Sequence, residues 1–348
     1  RVIIYANKNF VLINDIVAED DPAANSNWDC SKVEFKGEFD GNGKSIKGLK
    51  MYLDNSNYET RYMGLFYLIG EGATVKDLCV EAKISSYSDS NGGFHNSEYF
   101  AYVGIIAGKN AGSIINCHTV GEMNVYRQKS SIGGVCGVNN GKIDLSSASL
   151  KIHGNGDIGG IAGTQDSSKA VINESYAVGE YEYYFEVNPR SIGGLCGYLA
   201  QGNITNSYSL ANINVVNTSK FSKEPCIGGL VGHCKGGVTR CYSIGKVNRG
   251  KCPKNKVGGF IGYLESPNVK NNIAAMDAYK RDGERRCIGS YDEKIINDYL
   301  NNKCEVTTKE IVYHLNILNP NYETNIWGIA KYIYGNEEID IPILKNNN

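Results

Sequence analysis

At 348 residues and a formal net charge of −1, the chain can bury a sizeable core without disulfide or metal staples. That charge gives no electrostatic reason to expect nucleic acid or an anionic membrane surface as a partner, and no apolar run reaches the roughly 18 residues a spanning helix needs. Glycine is abundant at 41 residues, proline scarce at 7, and 24 tyrosines stand against 9 phenylalanines, a composition of strands and turns whose aromatics can sit half exposed.

The chain opens on the strand-like "RVIIYANKNFVLIND" without a signal peptide, as a processed or excised fragment would, so nothing follows about secretion. Next comes "FKGEFDGNGKSIKGLKM", residues 35–51. Its "FDGNGKSI" superficially suggests a calcium loop, but Lys44 occupies the third ligand position, and a Gly-rich corner is expected instead. "GNGK" and "GKNAG" lack the G-K-[ST] ending and following helix of a phosphate loop.

From Met63 onward the sequence repeats. A first arm reads "MGLFYLIG" at Met63, "VGIIAG" at Val103, "IGGVCG" at Ile132, "IGGIAG" at Ile158, "IGGLCG" at Ile192, "IGGLVG" at Ile227 and "VGGFIG" at Val257. Start-to-start spacings of 40, 29, 26, 34, 35 and 30 residues suit stacked repeats. A second arm follows each, beginning at Val75, Ile114, Ile143, Ile172, Ile204, Val238 or Val269. Nine positions later stands Ile84, Met123, Ile152, Tyr181, Ile213, Val247 or Ala278. That offset is constant, whereas the gap to the next first arm runs from 6 to 19; rigid spacing marks paired backbone and elastic spacing marks loops.

Residues nine apart on a straight strand face opposite sides, so the second arm must bend midway if both are to point inward. Cys117, Ser146, Ser175, Ser207 and Cys241 share a small-residue column at that bend. Bent, stacked, parallel arms with short glycine corners describe a β-solenoid. Gly-Gly pairs and the absence of a 3.6-residue period argue against a helical solenoid. The one helix signal, "TTKEIVYHLNIL" with Thr307 and Glu310 as a capping box, falls where a solenoid needs a cap.

These residues resemble the GLUG repeats of bacterial surface and secreted proteins. The resemblance implies an all-β, right-handed parallel β-helix of about seven repeats. It divides one continuous domain into an opening rung (1–62), the repeat array (63–287) and a C-terminal cap with a short helix (288–348). Such repeats accompany adhesin-like proteins and M26-type immunoglobulin A1 peptidases. The H-E-x-x-H zinc motif of those enzymes is missing here: none of His95, His118, His153, His233 or His314 precedes Glu. No metal or other cofactor is expected.

Eleven cysteines invite a disulfide framework, which the alignment undercuts. Cys136 and Cys196 share a column with Ala162 between them, and two strand steps put their Cα atoms roughly 9.6 Å apart, beyond bridging distance. They and Cys117 and Cys241 are expected as buried free thiols. Cys226, Cys234 and Cys252 sit at loop-like positions and could pair locally, as could Cys287 with Cys304. A zinc set of Cys226, Cys234, Cys241 and Cys252 lacks the C-x-x-C spacing. Many free thiols suit a reducing or anaerobic setting.

Two places could carry function. One column, two residues into the second arm, reads Asp77, Asn116, Leu145, Glu174, Asn206, Arg240 and Asn271; Glu174 and Arg240 are its catalytic candidates, against the reading of a polar ladder. The other is the elastic edge, with insertions before Val103, Ile192 and Ile227. Tyr99, Phe100 and Tyr102 in the first and Tyr183, Tyr184 and Phe185 in the second could bind a host glycan or protein, or fold back as cover. The expectation is an extracellular or cell-surface scaffold or adhesin segment of a larger polypeptide, without catalysis of its own. A non-catalytic region of a larger secreted metallopeptidase is the first alternative, and a β-helix polysaccharide lyase or glycoside hydrolase the second.

Overall fold

The computed structural model describes residues 6–18, 32–53, 60–86, 100–126, 129–185, 190–217, 224–252 and 255–265. Short strands follow at Val269–Lys270, Ile273–Ala274, Lys280–Arg281, Glu284–Arg285, Ile288–Tyr291, Trp327–Tyr334 and Glu337–Leu344. Apart from two antiparallel hairpins, Lys280–Arg281 with Glu284–Arg285 and Trp327–Tyr334 with Glu337–Leu344, the paired strands run parallel in three sheets. The chain is a parallel β-solenoid, with no helix among the described residues. The capping-box segment at Thr307 lies outside them.

Each turn begins in the first sheet, a stack of seven strands exemplified by Ser130–Gly133, Asp157–Gly159, Ser191–Gly193 and Cys226–Gly228. It crosses a glycine corner into the second sheet of nine strands, such as Cys136–Asn139, Cys196–Leu199 and Val231–Cys234. It returns through the third sheet, which holds the whole second arm. The register joins Val75 to Ile114, Ile143, Ile172, Ile204, Val238 and Val269 in one column. A second column joins Ile84, Met123, Ile152, Tyr181, Ile213 and Val247. Both columns are buried, as are the first-arm residues Met63, Val103, Ile132, Ile158, Ile192, Ile227 and Val257. Stacking identical positions removes apolar surface from water without any long-range shape matching.

The bend implied by the nine-residue offset is a left-handed residue. Asp77, Asn116, Leu145, Glu174, Asn206 and Arg240 have φ of 51, 49, 52, 44, 49 and 54°, and Asn42 opens the series at 52°. A single left-handed residue turns the strand by one corner, which brings positions nine apart to the same face. It also pulls neighbouring amides out of the ladder, and the small-residue column repairs this. Ser146 Oγ accepts the Cys117 amide at 3.1 Å and donates to Asp144 O at 2.7 Å. Ser175 does the same for the Ser146 amide (3.2 Å) and Asn173 O (2.7 Å), and Ser207 for the Ser175 amide (3.2 Å) and Thr205 O (2.7 Å). The Cys117 and Cys241 thiols keep the donor half, each 3.3 Å from the carbonyl two residues back.

The paired glycines of the first corner answer to crowding. A Cβ on Gly228 would stand 2.0 Å from Val231 O, and one on Gly229 would stand 2.0 Å from Gly259 O on the next turn. Neither has a positive φ, so close backbone approach requires glycine there. At the corner between the second and third sheets a buried amide ladder appears. Asn110 Nδ2 donates to Asn139 Oδ1 at 2.9 Å, and Asn139 Nδ2 to Gln165 Oε1 at 3.0 Å. The same amides also reach the carbonyls of Lys142, Val171 and Asn203, the first residues of third-sheet strands, groups that burial would otherwise leave unpaired. Farther along, the position passes to Leu199, Cys234 and Leu264.

Urea denaturation tests both devices. Ser175→Ala is expected to lose about 1–3 kcal/mol by stranding buried backbone groups, and Ser175→Cys, which copies Cys117 and Cys241, under about 1 kcal/mol. Leu145→Asn is expected to gain about 1 kcal/mol, because Asn tolerates the left-handed conformation that a branched side chain resists.

Candidate functional site

The polar column that holds Glu174 and Arg240 is this same left-handed corner. Its side chains are tied along the solenoid axis. Arg240 Nε donates to Asn206 Oδ1 at 2.6 Å, Asn206 Nδ2 to Asn173 Oδ1 at 2.9 Å, and Asn173 Nδ2 to both Asp144 Oδ1 (2.9 Å) and Glu174 Oε1 (3.2 Å). Nearer the start, Asn116 Nδ2 donates to Asp77 Oδ1 at 2.6 Å. Glu174 and Arg240 stand two turns apart with Asn206 between them, roughly 9.6 Å between Cα atoms. The position selects residues for backbone conformation, which accounts for its richness in Asn and Asp.

In the candidate calcium loop, Asn42 and Gly43 take φ of 52 and 67°. Asp40 accepts the Asn42 amide at 2.7 Å and sits 3.4 Å from Lys76 Nζ. Among the described residues no three His, Cys, Asp or Glu side chains gather as a metal set.

At the elastic edge the aromatic candidates separate. Tyr99 lies outside the described residues. Phe100 stacks on Tyr102 with ring centroids 5.9 Å apart, and Tyr102 on Tyr62 at 5.2 Å. The Arg190 guanidinium lies over the Phe100 ring, 5.2 Å from its centroid, and Lys109 Nζ lies 6.0 Å from the Tyr62 ring. Tyr183 does not project as an exposed contact. The strand Tyr176–Phe185 keeps its register with Gly154 and Val215, which turns Tyr183 inward at 1% exposure, and its hydroxyl accepts the Arg190 amide at 3.1 Å. Tyr184 and Phe185 continue that strand; their side chains lie outside the description.

Beneath Arg190 sits the most unusual ionisable group. Asp157 is 5% exposed. Its Oδ1 accepts the Ser191 amide at 2.9 Å, and its Oδ2 lies 3.5 Å from Arg190 Nη1. On the next turn the Cys226 amide uses the backbone carbonyl of Arg190. Gly156, at φ 119°, turns the chain just before Asp157, and the carboxylate takes the place of a ladder acceptor. Burial pushes the Asp157 carboxyl up to about 6, against the opposing pull of Arg190 and the Ser191 hydrogen bonds.

Two further aromatic stacks escaped the sequence reading. Tyr176, Tyr208 and Tyr242 form a column with 4.9 Å between successive centroids and ring planes within 6°. Tyr198 stacks on His233 at 4.8 Å, and Tyr263 lies tilted by 47° against His233 at 5.1 Å. His233 Nε2 meets Glu265 at 2.9 Å, and Lys235 meets the same carboxylate at 3.0 Å. The signal lay in the alignment: each set occupies one column of the repeat.

Seven of the described thiols are held inside the solenoid. Cys117, Cys136, Cys196, Cys226, Cys234, Cys241 and Cys252 are free and buried. Burial pushes Cys117, Cys226, Cys241 and Cys252 to about 12, and raises Cys136, Cys196 and Cys234 as well, so all stay protonated at neutral pH. Cys226 and Cys234 belong to strands of the first and second sheets rather than loops. Both are free thiols and do not bridge. Cys287 and Cys304 lie outside the described residues.

The fold and these ladders define a parallel β-solenoid repeat protein. Residues 188–214 match the family described as the GLUG motif. Over 99% of this chain and 87% of the other, the structure is similar to a crystal structure described as a "putative immunoglobulin A1 protease" from Bacteroides ovatus, at 18% identity and a TM-score of 0.50. A structure described as "IgA1 Protease" matches 82% of this chain at 17% identity and a TM-score of 0.44, and the match spans 20% of that longer chain. No curated protein matches. No described helix is long and apolar enough to cross a membrane.

Asp157 gives a pH-dependent prediction. Its folded value of about 6 exceeds its ordinary 3.8, so between these values the folded protein binds more protons than the unfolded chain. Its contribution to stability is therefore complete below the lower value and declines as pH rises to the upper. Asp157→Asn, which keeps an acceptor for the Ser191 amide, is expected to lose this decline in denaturant titrations. At pH 7.5 it should be more stable than the parent by about 1–3 kcal/mol.

Proposed function

We propose that the chain is a non-catalytic β-solenoid segment of a larger extracellular or cell-surface protein, serving as an elongated scaffold for binding or display. The observation that supports this most is the corner column. Its acidic and basic side chains sit at left-handed backbone positions and are engaged by neighbouring side chains. Such engagement supports a structural use of these side chains. The protonated thiols and the self-stacked aromatics point the same way.

Ligand recognition on this reading belongs to the elastic edge around Phe100 and Tyr102, with a host glycan or protein as the partner. The alternative of an accessory region in a larger immunoglobulin A1 peptidase draws support from the names of the similar structures. Under that alternative the proteolytic chemistry resides elsewhere in the polypeptide.

Two assays test the proposal. On a polysaccharide panel the chain is expected to give no turnover; turnover abolished by Glu174→Gln would overturn the scaffold reading. On glycan and host-protein arrays, Phe100→Ala with Tyr102→Ala is expected to weaken any detected binding about tenfold or more, the scale of a lost aromatic anchor. Binding unchanged in that double variant would assign the stack to cover alone. Tyr183→Ala is a poor binding probe, because emptying a buried aromatic site is expected to cost about 3–5 kcal/mol of stability.

A further inference from the structure

Arg190 leads into Ser191–Gly193 of the first sheet, a sheet whose outer column runs Tyr62, Tyr102, Ser131 and Asp157 over successive turns. Its guanidinium lies 5.2 Å from the Phe100 centroid on one side and 3.5 Å from Asp157 Oδ2 on the other. It therefore bridges the turn of Ser131, a residue too small to reach across. The backbone of Arg190 is fixed independently of the side chain: its amide donates to the Tyr183 hydroxyl at 3.1 Å, and its carbonyl accepts the Cys226 amide.

This placement orients the guanidinium without consuming it. A closed arginine–carboxylate bond spans about 2.7–2.9 Å, so the contact with Asp157 is a loose ion pair. The contact with Phe100 acts through the face of the ring rather than through the planar fork of N–H donors. Of the two charged side chains, Arg190 is 27% exposed and Asp157 8%. An anion arriving from solvent therefore meets the cation of the pair, with its carboxylate partner lying beneath.

The surroundings say which anion fits. Beyond Phe100 the rings continue through Tyr102 and Tyr62, and Tyr67 stands edge-on to Tyr62 at 5.0 Å. All four are half-buried. Ring rims and three hydroxyls suit a sugar, which mixes C–H patches with hydroxyl groups. A single guanidinium suits a single carboxylate held by two parallel hydrogen bonds. We infer that Arg190 receives the carboxylate of an acidic glycan, exchanging Asp157 for it. This inference rests on the elastic edge being the ligand-binding region, and it names the chemistry of the ligand.

The exchange is coupled to a proton. The groups that act electrostatically with Asp157 are Arg190, Tyr102, Tyr183, Cys196 and Cys226. Arg190 stays charged throughout. Burial raises both tyrosines and both thiols above their ordinary alkaline values, so among these groups Asp157 alone changes charge near pH 6. Above that value its carboxylate competes with the ligand for Arg190; below it the neutral acid does not. Affinity is thus full at low pH and declines as pH rises through the Asp157 value. The glycan carboxylate itself stays largely ionised down to about pH 5.

Isothermal titration with an oligosaccharide panel tests this. The panel holds uronic- and nonulosonic-acid members, each beside its carboxyl-reduced neutral counterpart, together with sulfated members and oligoglutamate. An acidic sugar is expected to bind about tenfold or more tightly than its neutral counterpart, and about tenfold more tightly at pH 5.0 than at pH 7.5. Arg190→Gln, which keeps both backbone hydrogen bonds, should lose about tenfold at pH 5.0. Asp157→Asn should bind at pH 7.5 as the parent does at pH 5.0, without pH dependence, which a merely damaged fold would not do. No binding at pH 5.0, equal binding of acidic and neutral sugars, or indifference to Arg190→Gln would overturn the carboxylate site. If Phe100→Ala with Tyr102→Ala still weakens the binding of a neutral sugar, the elastic edge stands without it; if that double variant also binds unchanged, both readings fall. Preference for sulfated members or for oligoglutamate would overturn the glycan carboxylate in favour of a sulfate ester or an acidic protein segment.

Discussion

One constraint organises this molecule: each turn must lie in register on the one before while the third-sheet arm turns a left-handed corner. Register makes every position a column, and a column is satisfied or frustrated as a unit. Hence the corner takes Asn, Asp or an accommodating long side chain. From Cys117 to Cys241 the residue after it is small and hydrogen-bonding, and the glycine corners tolerate no Cβ. Serine and cysteine interchange at the bend because the shared task is a small buried donor aimed at the carbonyl two residues back.

The same register decides the fate of the aromatic residues. Side chains in one column lie about 4.8 Å apart, close to ring-stacking distance, so neighbouring tyrosines bury each other's faces. Tyr176, Tyr208 and Tyr242 do this on the third sheet and Tyr62 and Tyr102 on the first, where Phe100, two residues earlier in the chain, adds its ring to Tyr102. An aromatic-rich insertion therefore contributes less free contact surface than its composition suggests. Charged side chains obey the same logic: Arg240 reaches along the axis to Asn206, and Lys83 to Glu122.

Much of this was legible in the residues. The constant nine-residue offset required a bend, and the structure supplies it at the column already singled out for Glu174 and Arg240. At that column the residues occupy a left-handed φ, a backbone requirement that residue type alone does not display. The buried thiols of Cys117, Cys136, Cys196 and Cys241 followed from strand spacing. Cys226 and Cys234 were misplaced because short first- and second-sheet strands look like loops in sequence. Tyr183 was misassigned because its strand runs on past the aligned repeat, and one added step of alternation turns a side chain inward.

By itself the sequence determined a parallel solenoid, its core columns and the position of its bends, because a repeating chain writes its neighbours' needs at fixed intervals. Only the tertiary structure decided which polar residues are spent on the fold. The amide ladder of Asn110, Asn139 and Gln165 and the carboxylate of Asp157 satisfy backbone groups contributed by adjoining turns. Those groups become unpaired only when the turns are stacked, so no single repeat contains the reason for the residue that pairs them.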